Sequence, residues 1–162
     1  MNAILDHPAN VGVVRSLCRK KAGRVSVVGL DAFTEPSDAY IWCGSHPEIV
    51  ERVWDQLGRG LPSDCRRVLC GTPVLVDADT GVVLATAYGT RYCVRVPMDA
   101  LPAALAVGCE TSQRFVGGTI IDISREFGPD WVFGRWAEDE SAWIRSAATA
   151  FGSTRPTPSP GA

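Results

Sequence analysis

Cys43 and His46 are the residues whose types and spacing come closest to a nucleophile and its base. They stand three positions apart, directly before the predicted start of a helix at Pro47. The N–H groups and dipole of a helix N-terminus lower the pKa of a nearby thiol and attract anions. A nucleophilic site also needs an orienting group and an oxyanion hole, and the sequence supplies neither. The alternative is that Cys43 is a small buried residue that ends a strand, so the catalytic residues stay unassigned.

The same cysteine and histidine could also belong to a zinc site. Cys43 and His46 make a C-x2-H pair, and Cys65 and Cys70 make a C-x4-C pair. Four such ligands suit tetrahedral zinc. However, residues 66–69 have the composition of a strand, and a strand would hold Cys65 and Cys70 roughly 17 Å apart on opposite faces. The sequence therefore predicts no metal site and no cofactor.

A second group of residues, near the C-terminus, has the composition of a binding surface. Acidic side chains alternate there with tryptophan and arginine, which dominate the energetics of protein–protein interfaces. An acidic surface of this kind would suit a basic protein partner. The alternative is that the tryptophans are core residues and the acidic residues only begin the last helix. The candidate binding residues are Trp131, Arg135, Trp136, Glu138, Asp139 and Glu140.

A third possibility is a pocket for a small ligand between the sheet and its helices. Aromatic residues fall on predicted strands and on a predicted helix, where they could line such a pocket. The candidate lining residues are Trp42, Trp54, Tyr88 and Tyr92.

Composition narrows the choice among these functions. The chain has 162 residues, 18 of them acidic and 16 basic, for a net charge of −2. Nucleic-acid binding needs a basic surface, and the one dense basic stretch, residues 15–24, falls where a helix ends and cations suit its dipole. No apolar run is long enough to cross a membrane. We therefore expect a protein partner, with no nucleic acid and no membrane.

The start of the chain lacks the basic and apolar regions of a secretory signal. We therefore expect a soluble cytoplasmic protein, in which the six cysteines are reduced thiols.

The clearest local structure is a hairpin. Residues 73–77 and 82–88 are rich in branched side chains, and Gly81 supplies the positive φ that the short connecting loop needs. The turn opens like a calcium loop, but Tyr88 occupies the place of the closing glutamate. The segment resembles the D-x-x-T-G hairpin of several small bacterial proteins, among them some immunity proteins of polymorphic toxin systems. That resemblance implies an immunity or antitoxin type of function.

The remaining pattern completes a mixed fold. Ser45, Pro47 and Glu48 have the spacing of a capping box that begins a helix to residue 57. In the strand 91–96, apolar residues alternate with Arg91, Cys93 and Arg95, which predicts one face in solvent. Further strands are predicted at 25–28, 39–43, 119–123 and 131–133, and further helices at 8–21, 98–107 and 138–151.

The sequence thus predicts one α+β domain over residues 1–152, with a mainly antiparallel sheet, a meander around 73–97 and three to four covering helices. Residues 153–162 are predicted to be a disordered Pro-rich tail. The predicted function is non-enzymatic protein binding. The alternatives are a small cysteine-dependent enzyme using Cys43 and His46, and a small-ligand-binding protein.

Overall fold

The structure is a computed structural model of the chain. It describes residues 2–18, 26–35, 37–42, 45–88, 91–96, 99, 102, 106, 113–116, 119–122, 127 and 131–135. The Pro-rich tail, the predicted last helix and most of the predicted helix 98–107 lie outside these residues.

The fold is α+β, and its centre is an antiparallel sheet of six strands in the order β1-β2-β3-β4-β5-β8. The four strands β2 to β5 are consecutive in the chain, which confirms the predicted meander. Two further strands, β6 and β7, form a separate antiparallel pair. The strands are β1 Val27–Gly29, β2 Arg66–Leu69, β3 Thr72–Val76, β4 Val83–Tyr88, β5 Arg91–Arg95, β6 Gln113–Val116, β7 Thr119–Asp122 and β8 Trp131–Arg135.

The predicted hairpin is the connection between β3 and β4. Gly81 has a φ of +81°, and the Gly81 N–H donates to the Asp77 carbonyl at 2.7 Å. The Asp77 carboxylate accepts from the Asp79 N–H at 2.9 Å and orders the loop. A Cβ at Gly81 would lie 2.7 Å from the Ala3 carbonyl oxygen. Glycine is therefore required both by the turn and by the N-terminal segment that passes over it.

A second tight hairpin, between β2 and β3, was not predicted. Its two loop residues are Cys70, with a φ of +48°, and Gly71, with a φ of +80°. Two successive positive φ angles are typical of the type I′ turn that joins antiparallel strands. A cysteine is an unusual residue at the first of these positions.

The N-terminal segment begins with a 3₁₀ turn, Pro8–Asn10, and continues as α1, Val11–Cys18. This confirms a helix that opens at Pro8. Val13 and Leu17 are buried on the inner face of α1, and Val11 on the outer face is 51% exposed.

The predicted strand at 39–43 is wrong, because residues Asp38–Trp42 form a short helix, α2. Its aromatic and branched residues favour strands, but such preferences are weak beside tertiary packing. Ala39 is fully buried in the core, and the Tyr40 ring stands edge-on to Trp54 with centroids 5.0 Å apart. Asp38 also suits the positive end of the helix dipole.

The helix predicted up to residue 57 is confirmed, but its form and its cap differ from the prediction. It begins as α3, Pro47–Glu51, and continues as a π-helix, Arg52–Leu57. The N-cap is His46 and not Ser45. The helix ends at Gly58, where a Cβ would collide with the carbonyl oxygen of Trp54.

The sheet is covered on both faces. The helix-side core packs α2, α3 and the π-helix against one face, and it includes Trp54, Leu75, Tyr92 and Val94. The opposite core, here called the N-terminal-side core, packs α1 against the other face. It includes Val13, Leu17, Val74, Val83, Cys93 and Trp131.

The prediction that one face of β5 lies in solvent is therefore wrong for the described side chains. Cys93 is fully buried, and the Arg95 guanidinium lies over the Trp131 ring, 4.9 Å from its centroid. Arg95 reaches the N-terminal segment, where its Nη2 donates to the Ala9 carbonyl at 3.0 Å. Among the described residues, no helix is long and apolar enough to cross a membrane.

Candidate functional site

His46, the candidate base, uses its ring to cap a helix. Its Nδ1 accepts a hydrogen bond from the Glu48 N–H at 3.3 Å. His7 does the same for the first turn of the chain, where its Nδ1 accepts from the Ala9 N–H at 3.0 Å. Nδ1 of each histidine is therefore engaged in a helix cap. Cys43 lies outside the described residues, so its pairing with His46 stays a prediction.

Cys65 and Cys70, the cysteine pair considered for zinc, differ in their bonding, because only Cys70 forms a disulfide. Cys70 is bonded to Cys18, and their Cα atoms lie 5.3 Å apart. The prediction of six reduced thiols is therefore wrong for these two cysteines. Cys65 is a buried free thiol, and its burial raises its pKa. Among the described residues, no three histidine, cysteine or acidic side chains form a metal-binding group.

Trp131, the candidate interface residue, is a core residue. Its side chain is fully buried, between the Arg95 guanidinium and the Phe127 ring, whose centroid is 5.5 Å away. Arg135 pairs with Arg91 in the sheet through its backbone. The side chain of Arg135, and residues Trp136, Glu138, Asp139 and Glu140, lie outside what the structure describes. The acidic surface thus stays a prediction, without Trp131 as its exposed aromatic residue.

Two of the four residues considered for a ligand pocket are also core residues. Trp54 and Tyr92 are at most 1% exposed, and the Trp54 indole N–H donates to the Val74 carbonyl at 2.8 Å. The side chains of Trp42 and Tyr88 are outside the described set.

A partly exposed polar cluster lies on the outer side of the π-helix. The Tyr40 hydroxyl donates to Asp55 Oδ1 at 2.9 Å, and Arg66 Nη2 lies 3.2 Å from the same oxygen. Burial, followed by the hydrogen bond to Asp55, raises the pKa of Tyr40 to about 12. These contacts fix α2 and β2 to the π-helix, and they leave Tyr40 protonated at neutral pH.

The site that sequence analysis missed is the outer edge of β1, which no described strand covers. This strand pairs only with β2 in the described part of the chain, and the Cys70 N–H donates to the Ser26 carbonyl at 2.8 Å. Hydrogen-bonded and non-bonded pairs alternate along an antiparallel ladder. Because Ser26 faces β2, Val28 also faces it, whereas Val27 and Gly29 direct their N–H groups outward.

An apolar side chain is exposed on β1. Val28, opposite Val68 of β2, is 37% exposed, and it is one of two large apolar side chains exposed to this degree among the described residues. No described residue bonds the outward N–H and carbonyl of Val27 or the outward N–H of Gly29. An edge with free main-chain groups and an exposed branched side chain is a template for another strand.

A cavity of about 260 Å³ continues this edge beyond Gly29. Arg67, which pairs with Gly29 across the ladder, extends its side chain over the glycine, and a Cβ there would lie 3.3 Å from Arg67 Nη1. The Arg67 Nε donates to the Asp64 carbonyl at 2.8 Å, which fixes the guanidinium and leaves its Nη groups without a described partner. The cavity is lined by Gly29, Leu30, Asp31, Ser63, Asp64, Arg66 and Arg67.

In comparisons with known proteins, the chain matches no protein-family model, no curated protein and no solved structure. The function is therefore inferred from the geometry of β1 and its surroundings.

Proposed function

We propose that this chain is a protein-binding domain, and that it binds an extended segment of a partner along the outer edge of β1. The observation that supports the proposal is the outward main chain of Val27 and Gly29 beside the exposed side chain of Val28. Main-chain hydrogen bonds supply affinity when a peptide adds to a sheet edge, and side-chain pockets supply specificity.

The side chains around the edge define the chemistry of the partner segment. Val28 offers a contact for an apolar side chain on the helix-side face. Arg67 lies on the other face, over Gly29, where its Nη groups can pair with a carboxylate in the bidentate geometry that guanidinium favours. Asp31 and Asp64 also line the cavity, and Asp31 Oδ1 would lie 2.7 Å from a Cβ at Gly29, so a carboxylate is favoured only where it contacts the Arg67 guanidinium directly. The proposed ligand is an extended segment that places an apolar residue against Val28 and an acidic residue against Arg67.

The more specific functional predictions made from the sequence do not concern the β1 edge. An immunity or antitoxin role, a basic partner for the acidic stretch and a cytoplasmic location each stay a prediction. The β1 edge and the acidic stretch would select partner segments of opposite charge, and this difference separates the two surfaces experimentally. The cysteine-dependent enzyme gains no support from His46, whose Nδ1 serves the helix cap.

A random octapeptide library, selected on the immobilised wild-type protein, tests the proposal. The enriched peptides are expected to alternate apolar and polar residues and to contain Asp or Glu. Val27→Pro removes an outward N–H while leaving the β1–β2 hydrogen bonds in place, and it is expected to weaken peptide binding at least tenfold. Val27→Thr keeps the N–H and is the matched control, with affinity within about twofold of wild type.

The role of Arg67 is tested in the same assay. Arg67→Gln keeps donors but removes the charge, and it is expected to weaken the acidic peptides tenfold while leaving their Asn or Gln analogues unchanged. Failure to enrich any peptide, or equal binding by the Val27→Pro and Val27→Thr proteins, would overturn the proposed function.

A further inference from the structure

The disulfide Cys18–Cys70 lies at the point where three parts of the fold meet. Cys18 is the last residue of α1, and Cys70 is the first loop residue of the β2–β3 hairpin. The Cys70 N–H also donates to the Ser26 carbonyl, directly before β1. One residue therefore connects the end of α1 covalently, and the start of β1 by a hydrogen bond, to the same hairpin.

Cys70 occupies a backbone conformation that an L residue adopts at a cost. Its φ of +48° is the one positive value among the non-glycine residues that the structure describes. Asparagine, aspartate or glycine is the usual residue at this position of a type I′ turn. A cysteine here is explained by its bond to Cys18, because the bond holds the turn in place.

The N-terminal segment, β3 and β1 all lie near this disulfide, but they differ in the other contacts that hold them in place. Hydrogen bonds that do not involve the disulfide hold the N-terminal segment to the sheet: Asn10 binds Gly81 and Val83 of the β3–β4 hairpin, and Arg95 of β5 binds the Ala9 carbonyl. Strand β3 has neighbours on both sides. Strand β1 has three paired residues and one described neighbour, so it depends most on the bond made by Cys70.

We propose that reduction of Cys18–Cys70 loosens β1 and thereby weakens partner binding at its edge. The proposal rests on the function proposed above and adds redox control of the same site. The reductant is a dithiol: one of its thiolates attacks a sulfur of the protein disulfide, and the other protein sulfur leaves as a thiolate. The second thiol of the reductant then closes its own disulfide, so two electrons and two protons pass to the protein, which now holds two thiols.

Amide hydrogen exchange with and without dithiothreitol tests the coupling without any ligand. Reduction is expected to accelerate exchange of the Val28 and Cys70 amides at least tenfold more than exchange of the Leu75 and Ala85 amides, whose acceleration reports the loss of global stability. The Cys18→Ser/Cys70→Ser protein is expected to match the reduced wild type and not to respond to dithiothreitol. Unchanged exchange at Val28, or equal acceleration at Leu75, would overturn the proposal.

A binding assay then separates this proposal from the proposed function. Peptides selected on the oxidised protein are expected to bind the reduced protein at least tenfold more weakly. Equal affinity for the two redox states would overturn redox control while leaving the binding function intact. If no peptide binds the oxidised protein, the proposed function fails, and redox control of binding fails with it, whatever the exchange experiment shows about β1.

Discussion

Asn10 and Val83, which are 73 positions apart in the chain, are joined by a hydrogen bond in which the Val83 N–H donates to Asn10 Oδ1 at 2.8 Å. The Asn10 amide also donates to the Ile4 and Gly81 carbonyls, each at 2.8 Å. Asn10 is fully buried, and its bonds to Gly81 and Val83 attach the N-terminal segment to the β3–β4 hairpin.

Asn10→Ala is therefore expected to be strongly destabilising. It would leave one buried N–H and two buried carbonyl groups without this partner, and the free energy of unfolding should fall by about 3 kcal/mol. Asn2→Ala is the control, because the Asn2 amide oxygen binds N–H groups at an exposed turn, and its loss should cost no more than about 1 kcal/mol. Urea denaturation measures both values, and equal losses would contradict the role given to Asn10.

The disulfide Cys18–Cys70 should contribute strongly to global stability. It closes a loop over a sequence separation of 52 residues, and chain-entropy arguments give about 4 kcal/mol for a loop of this length. Denaturation of the Cys18→Ser/Cys70→Ser protein, compared with oxidised wild type, measures the difference. A loss below about 1 kcal/mol would show that the bond does not constrain the unfolded chain.

The raised pKa of Tyr40 predicts a loss of stability at high pH. Its folded pKa is about 12, raised from 10.0, so its contribution is fully present below pH 10 and is lost as the pH rises towards 12. A titration of phenolate absorbance should include a transition with a pKa near 12, and this transition should be absent from Tyr40→Phe. Persistence of the transition in Tyr40→Phe would assign it to another tyrosine.

Tyr40→Phe also tests the hydrogen bond to Asp55 at neutral pH. The hydroxyl donates at 2.9 Å in a partly buried position, so its loss should cost about 1 kcal/mol. The edge-on contact with Trp54 would be kept, because phenylalanine preserves the ring. Thermal or urea unfolding at pH 7 gives the value.

The histidine cap of α3 predicts a graded substitution series. His46→Ala removes the acceptor for the Glu48 N–H and should cost about 1 kcal/mol, whereas His46→Asn restores a good capping side chain and should recover most of the loss. Urea denaturation of the two variants gives the comparison. Equal destabilisation by alanine and asparagine would mean that His46 acts through packing and not through its cap.

Local chemistry explains which elements could be predicted from the sequence. The β3–β4 hairpin is encoded within a dozen residues by branched side chains and by Gly81, and the helix that begins at Pro47 is encoded by its apolar spacing. Residues 38–42 behave differently: most of their side chains favour a strand, but the packing of Ala39 and Tyr40 stabilises a helix. Such an outcome depends on contacts that no local pattern contains.

The candidate site depended on long-range order and was therefore missed. Val27 of β1 pairs with Leu69 of β2, but the sequence of neither strand indicates that β1 lies at the edge of the sheet. Cys18 and Cys70 become partners because α1 returns to the β2–β3 turn, whereas sequence reasoning about compartment predicted free thiols. Trp131 was a candidate interface residue because tryptophan is common at interfaces. In the fold, its ring is buried against Arg95 and Phe127.

Amide hydrogen exchange along β1 of the oxidised protein is the most direct test of the open edge. The Val27 and Gly29 amides are expected to exchange at least tenfold faster than those of Val28 and Cys70, and a bound library peptide should slow Val27 and Gly29 alone. Slow exchange at Val27 and Gly29 in the free protein would mean that the edge is already covered, and it would contradict strand addition as the mode of binding.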